Sequence, residues 1–261
     1  MNHSIFLYSV SIITAFFLLL PESETLGQFS ETISTDRPGQ ANGAFGVGKS
    51  VLQVQTGPEW NSVKITETAA KASGFIWPAT IRFGISEKIE LRLNTAYSSY
   101  SADISGIEYT MIGARANILD GESNGPAVGV LLDLGIKAFA SEDFKGDNGF
   151  GTLMVIAQQS ISANSAITVN FGTSWNGLGD YHTWPYVLNF SHSLTDKLGI
   201  IVEHYGAFNT GSFVYKFDTG LGYLLTSDLL VDAAFGWGKG EFVTTSFVNF
   251  GVSWRFVNWR R

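Results

Sequence analysis

Residues 213–237 read FVYKFDTGLGYLLTSDLLVDAAFGW. Phe213, Tyr215, Phe217, Leu221 and Tyr223 share one parity, while Lys216, Asp218 and Gly220 take the other. After the tight turn Thr226–Asp228 the pattern resumes, with Val231, Ala233, Phe235 and Trp237 against Asp232, Gly236 and Gly238. Side chains of an extended strand alternate between two faces. The stretch therefore predicts two antiparallel strands, each with one apolar face and one face of charges and glycine.

The same reading extends outward over residues 50–256. Leu52, Val54, Thr56 and Trp60 oppose Gln53, Gln55, Gly57 and Glu59; Phe75, Trp77, Ala79, Ile81 and Phe83 oppose Thr80 and Arg82. Ile89, Leu91, Leu93 and Tyr97 oppose Glu90, Arg92 and Asn94; Ile112, Ala114 and Ile118 oppose Arg115 and Asn117. Val128, Val130, Leu132, Leu134 and Ile136 oppose Asp133 and Lys137. Further on, Ile167, Val169 and Phe171 oppose Asn170; Trp184, Tyr186, Leu188 and Phe190 oppose Asn189; Ile200 and Val202 oppose Glu203. Val248, Phe250, Val252, Trp254 and Phe256 oppose Asn249, Ser253 and Arg255. Pro58, Pro78 and Pro185 fall inside these segments, where proline cannot donate to a ladder.

A soluble sandwich also alternates, so two further features decide. Tight connections (84–88, 162–165, 193–197, 226–228) are expected to take turns with longer ones (63–73, 98–107, 138–149, 176–182, 206–212, 238–244), with 119–126 as the one long member of the tight set. Aromatics gather at both ends of the segments: Trp60, Trp77, Tyr97, Tyr109, Trp175, Trp184, Tyr186, Tyr205, Phe213, Tyr215 and Trp237 beside the longer loops, and Phe83, Phe190, Tyr223, Trp254 and Phe256 beside the short turns. Short turns on one side, longer loops on the other and an aromatic girdle at each interface describe a transmembrane antiparallel up-and-down β-barrel of about twelve strands. An arginine at Leu132, on the lipid side, is expected to be costly, and one at Leu131, on the lumen side, better tolerated.

Composition agrees. Of 261 residues only 15% are charged, 14% are aromatic and none is cysteine, although 45% are apolar. Average soluble chains carry roughly a quarter charged residues. The apolar run Ile5–Leu20, followed by Pro21, is of signal-peptide length, and no later run is long enough for a membrane helix. The expected organisation is a signal peptide (1–27), a periplasmic N-terminal segment (28–49), the barrel (50–256) and a C-terminal extension (257–261), in the outer membrane of a Gram-negative cell.

The polar parity assigns Glu59, Arg82, Glu90, Arg92, Arg115, Asp133, Lys137, Glu203, Lys216, Asp218, Asp232 and Arg255 to the lumen. Six acids against six bases leave two readings open: a lumen closed by its own ion pairs, or charges lining a permeation path. The formal charge of −7 and the scatter of the 16 basic residues exclude nucleic acid as a partner. No GxSxG, HExxH, CxxC or phosphate loop is present, and His182, His192 and His204 lie apart in the sequence. No catalytic residue, metal ligand or cofactor is expected.

Ser34-Thr35-Asp36-Arg37-Pro38, then Gly48-Lys49, resembles the opening of the outer-membrane transporters catalogued under the meta-pathway of phenol degradation. Arg82–Leu93, Asp218–Gly236, Glu203 within Ile201–Tyr205 and the closing Gly251–Phe256 are similar to stretches of that family. The resemblance implies an outer-membrane barrel passing small, often aromatic or apolar, molecules, and carries over no substrate residue. The partners it implies are outer-membrane lipid and a small-molecule solute; the outward aromatic end Trp254-Arg255-Phe256 resembles the signal read by the barrel-insertion machinery, from which the added Val257–Arg261 depart.

Overall fold

The computed structural model describes residues 31–65, 68, 70–100, 104–121, 125–146, 149–175, 182–209, 212–240 and 242–257. The expected signal segment 1–27 and residues 258–261 of the expected extension lie outside them. Twelve antiparallel staves form one sheet closed on itself. They are β1 (Leu52–Thr56 and Glu59–Ile65), β2 (Lys71–Gly84), β3 (Ile89–Tyr100), β4 (Ile104–Asp120), β5 (Ala127–Gly135), β6 (Gly151–Ser162), β7 (Ser165–Trp175), β8 (His182–Ser193), β9 (Leu198–Asn209), β10 (Ser212–Thr226), β11 (Leu229–Lys239) and β12 (Val243–Phe256).

The first stave shows what a proline does to a strand. Both halves of β1 pair with β2 on one side and β12 on the other, in unbroken register, and only Gly57-Pro58 drop out of the ladder. Pro58 has no N–H to give, while its carbonyl still accepts from Phe250 N at 3.1 Å. Pro78 and Pro185 stay within their staves, opposite Ala96 and Ala207. Because β1 meets both β2 and β12, no edge strand is left to bind another chain.

Burial is inside out. Leu91, Leu93, Phe171, Leu188, Phe217, Leu221, Phe235 and Phe250 are exposed on the outer face, whereas Gln53, Arg82, Glu90, Arg115, Asn170, Glu203 and Ser253 are buried. Only lipid solvates such an outer face favourably, and a closed barrel is one of the two ways to satisfy a backbone there. Trp60, Trp77, Tyr97, Trp184, Phe213 and Trp237 are exposed near one end of the staves and Trp254 near the other, forming the two girdles. His204 stands among the outward rings, 3.2 Å from Tyr186 Oη and 4.5 Å from the Phe217 ring centroid. Tyr109 and Tyr205, expected in the girdle, face the lumen; Lys216 Nζ lies 5.9 Å from the Tyr205 ring centroid.

The loops depart further from expectation. Strands run on through most of 98–107, 206–212 and 238–244, so the β5–β6 connection is much the longest, while β4–β5 at the opposite end is as long as β7–β8. The β5–β6 connection carries two 3-10 turns, Lys137–Phe139 and Glu142–Phe144. Hence there is a short-turn end, with the β2–β3, β6–β7, β8–β9 and β10–β11 turns, and a loop end opposite. By the usual asymmetry of such barrels the short turns face the periplasm.

Candidate functional site

The lumen is occupied by the chain itself. Residues 31–49, expected to lie in the periplasm, instead enter and leave the barrel at its short-turn end. Ile33 N donates to Ser227 O at 2.7 Å, and Arg255 donates to the carbonyls of Glu31 and Thr32 at 3.1 and 3.2 Å. On return, Ser50 N donates to Gly84 O at 2.8 Å. An irregular segment can lie at membrane depth only where its backbone groups find partners, and here the lumen side chains supply them. Gln40 and Ala41 N–H donate to Glu203 at 2.6 and 3.1 Å, and Ala44 N donates to Gln158 at 3.0 Å. Asn42 exchanges two hydrogen bonds with Asn170, and Val47 N donates to Glu90 at 3.0 Å.

Space is provided as well as bonding. A Cβ on Gly129 would lie 2.8 Å from Ala44 O, and one on Gly220 would lie 2.6 Å from Pro38 Cγ. Ala44 also joins an apolar patch of Leu131, Met154, Ile156 and Ala127, with Phe45 packed against it. Leu131 is 2% exposed there, so the expectation that arginine is tolerated at that lumen position reverses.

Eleven of the twelve charges assigned to the lumen are on its face of the staves. Lys137 is not: β5 ends at Gly135, and Lys137 begins a 3-10 turn in the loop. The eleven are unevenly distributed. Arg82 (β2), Arg92 (β3) and Arg115 (β4) share one side with Glu90 and Asp133, leaving that wall one positive charge in excess. Glu203 (β9), Asp218 (β10) and Asp232 (β11) face it with Lys216, leaving two negative charges in excess. Glu59 lies beside Asn249, and Arg255 pairs with Asp228 at 2.7 Å at the short-turn rim.

Two neighbouring residues of the inserted segment answer the two walls. Asp36 meets Arg115 at 2.9 Å, Arg92 at 3.4 Å and Arg82 at 3.6 Å. Glu90 completes this cluster, 2.7 Å from Arg115 and 2.9 Å from Arg82. Burial alone would raise the Asp36 pKa, but Arg115, Arg82 and Arg92 hold it well below the usual carboxylate range. Arg37 turns the other way and meets Asp232 through two bonds of 2.9 and 3.1 Å. The parity of the strands assigns the wall charges to the lumen but says nothing of this dipeptide, whose signals are its opposite charges and its place in the Ser34–Pro38 stretch that carries the family resemblance.

Above the inserted segment, toward the loop end, lies a cavity of about 470 Å3 reached by Glu108, Tyr109, Phe144 and Phe150. Ser165 Oγ is 2.8 Å from His192 Nδ1, but on the outward face, with no carboxylate bonded to the imidazole among the described residues. No group of three potential metal ligands occurs among those residues.

The family described as "Putative MetA-pathway of phenol degradation" matches residues 35–256. No curated protein sequence matches the chain. Among solved structures, an outer-membrane channel from Pseudomonas putida F1 superposes with a TM-score of 0.63 at 12% identity, covering 80% of this chain and 96% of that one. The translocator domain of the autotransporter NalP from Neisseria meningitidis gives 0.56 at 12% identity, covering 80% and 90%. The KdgM porin in complex with oligogalacturonate gives 0.54 at 10% identity, covering 78% and 99%. At these identities the likeness is one of fold: a closed outer-membrane barrel.

Proposed function

Because the chain belongs to the phenol-degradation family that matches it from residue 35 to residue 256, we propose that this outer-membrane barrel is a gated channel for small apolar or aromatic molecules, closed at rest by its own N-terminal segment. The observation that carries the reading is the docking of Asp36 and Arg37 to opposite walls. A segment held by side-chain bonds rather than by strand pairing can leave without breaking the barrel. The family description supports aromatic solutes, since a pathway degrading phenol draws on small aromatic molecules. Outer-membrane lipid surrounds the barrel, and the outward aromatic end of the last stave, Trp254-Arg255-Phe256, is what the insertion machinery reads, with Val257–Arg261 following it.

Single-channel recording with full-length protein in planar bilayers tests the reading, alongside liposome uptake of benzene-sized probes. Wild type is expected to show small, infrequent openings, and Asp36→Asn larger or longer ones. A large, quiet wild-type conductance would reject the gate in favour of an open porin. Absence of conductance and uptake in both proteins, with the barrel folded, would reject the channel and favour a structural or surface-interaction barrel.

A further inference from the structure

The loop end of the lumen carries chemistry that the gate does not use. In β4, Tyr109 pairs with Ala96 and Ile107 with Tyr97, so Glu108 is an extra residue in the ladder. Such a bulge re-aims a side chain, and bulges gather where strands serve a site. Here it turns Glu108 and Tyr109 toward the same cavity. Ser98 Oγ and Tyr100 Oη both donate to Glu108 Oε2, the second at 3.3 Å. Among the described residues Oε1 accepts no hydrogen bond, which leaves it available to a donor in the cavity.

The surroundings are built as well. Ser141 is bonded twice to Ile107, accepting from its N–H through Oγ and donating to its carbonyl from the backbone, both at 2.9 Å. This folds the second 3-10 turn over the cavity, where Phe144 lies 6.2 Å from the Tyr100 ring. Phe150 closes another side, its ring placed over Gly135, where any Cβ would collide with it. Tyr109, Met111, Phe144 and Phe150 thus make soft, polarisable walls around one carboxylate oxygen that accepts no bond from a described residue. The volume of about 470 Å3 is in the range of small-molecule sites.

We propose that this cavity binds a small ring-bearing organic cation, with the Glu108 carboxylate as counter-ion and the aromatic walls as its cage. The charges decide the class. Asp143 adds a second negative group at the rim, and the rim cation, Lys145, is engaged by Glu142. A carboxylate ligand would meet repulsion, a neutral ring displaces the water on Glu108 Oε1 without offering a charge in its place, and an ammonium pairs with that oxygen and also faces π-systems. This goes beyond the channel reading, because a site can be filled whether or not its ligand crosses.

Benzylammonium, benzyl alcohol and benzoate have nearly the same shape and differ in charge, so titration calorimetry of refolded full-length protein in detergent can rank them. The ammonium is expected to bind about tenfold or more tightly than the alcohol, with benzoate weakest. Glu108→Gln should remove that preference, and Phe150→Ala should weaken both. Equal affinity for ammonium and alcohol in wild type overturns the proposal, and this result does not depend on any variant folding. An undiminished preference in a folded Glu108→Gln barrel, shown by its heat-shifted gel mobility, overturns it too. Liposome uptake of benzylammonium is scored apart: binding without uptake sustains the site and counts against the channel, whereas uptake without binding sustains the channel and sinks the site.

Discussion

The two walls of the lumen hold one inserted segment by different means. On the β2–β5 side the carboxylates of Asp36, Glu90 and Asp133 interleave with three arginines, and Asp36 lies within ion-pair distance of all three. On the β9–β11 side three carboxylates share a single wall lysine. Arg37 satisfies Asp232, backbone N–H groups satisfy Glu203, and neither oxygen of Asp218, opposite Glu203, has a hydrogen-bond partner. Charge balance counted over a whole barrel therefore does not say which charges are neighbours. The stave on which each charge sits says that, and so does the segment that fills the space between.

The sharpest way to break the contrast is Arg115→Met. It leaves Glu90 and Asp36 short of a partner in a fully enclosed position, and removing one member of a buried pair costs about 3–5 kcal/mol. Urea unfolding in lipid vesicles should show this loss; a loss below about 1 kcal/mol would mean that the cluster is hydrated. Next comes a comparison that separates wall from lipid face. Leu132→Arg should cost about 2–4 kcal/mol through lipid exposure, and Leu131→Arg at least as much through the patch around Ala44. Refolding yields in which only the 132 variant suffers would contradict the packing of that patch.

Arg37→Met on the acidic wall should cost less, about 1.5–3 kcal/mol, the usual worth of a hydrogen bond to a charged group, while lengthening channel openings. Asp218→Asn should change stability by less than about 1 kcal/mol, because a carboxylate without partners gives up nothing on neutralisation. A larger loss would reveal an ion bound beside Glu203. The smallest effect expected is that of pH on the arginine side. The Asp36 pKa is depressed in the folded protein, so its contribution is complete above the unfolded value of about 3.9 and is lost only as pH falls through the lower folded one. The stability difference between wild type and Asp36→Asn should therefore stay constant from pH 8 to pH 5; a difference that shrinks within that window would show Asp36 protonating early.

Most of the barrel is legible in the sequence because period-2 alternation is a local property and the lipid face tolerates few exceptions. Residues 213–237 alone fix two staves, their turn and which side of each meets lipid. What is not legible depends on local breaks in that rule. Counting parity past Gly135 put Lys137 in the lumen, but the chain had already turned into a 3-10 helix. The extra residue in β4 swings Glu108 inward, and nothing in a 2-residue period signals it. Leu131, Met154 and Ile156 make an apolar lumen patch because they meet Ala44 and Phe45 of the inserted segment, a contact across many staves. The segment itself has no periodicity at all. Its place follows from Asp36 and Arg37 meeting complementary walls, which requires knowing the walls first.

Both ends of the inserted segment lie at the same rim, at Ile33 beside Ser227 and at Ser50 beside Gly84. It is thus a bight laid into the barrel rather than a thread passed through it. Tension on the N-terminus from the periplasm would load its fastenings in succession: the Arg255 clasp on Glu31 and Thr32, then the Asp36–Arg37 pair on its two walls, then the Glu203 hold on Gln40 and Ala41. Each would give way singly, as in a zip fastener, so the peak force is that of one fastening and not of their sum. Released, the bight could slide back by the same opening with no free end to find its way.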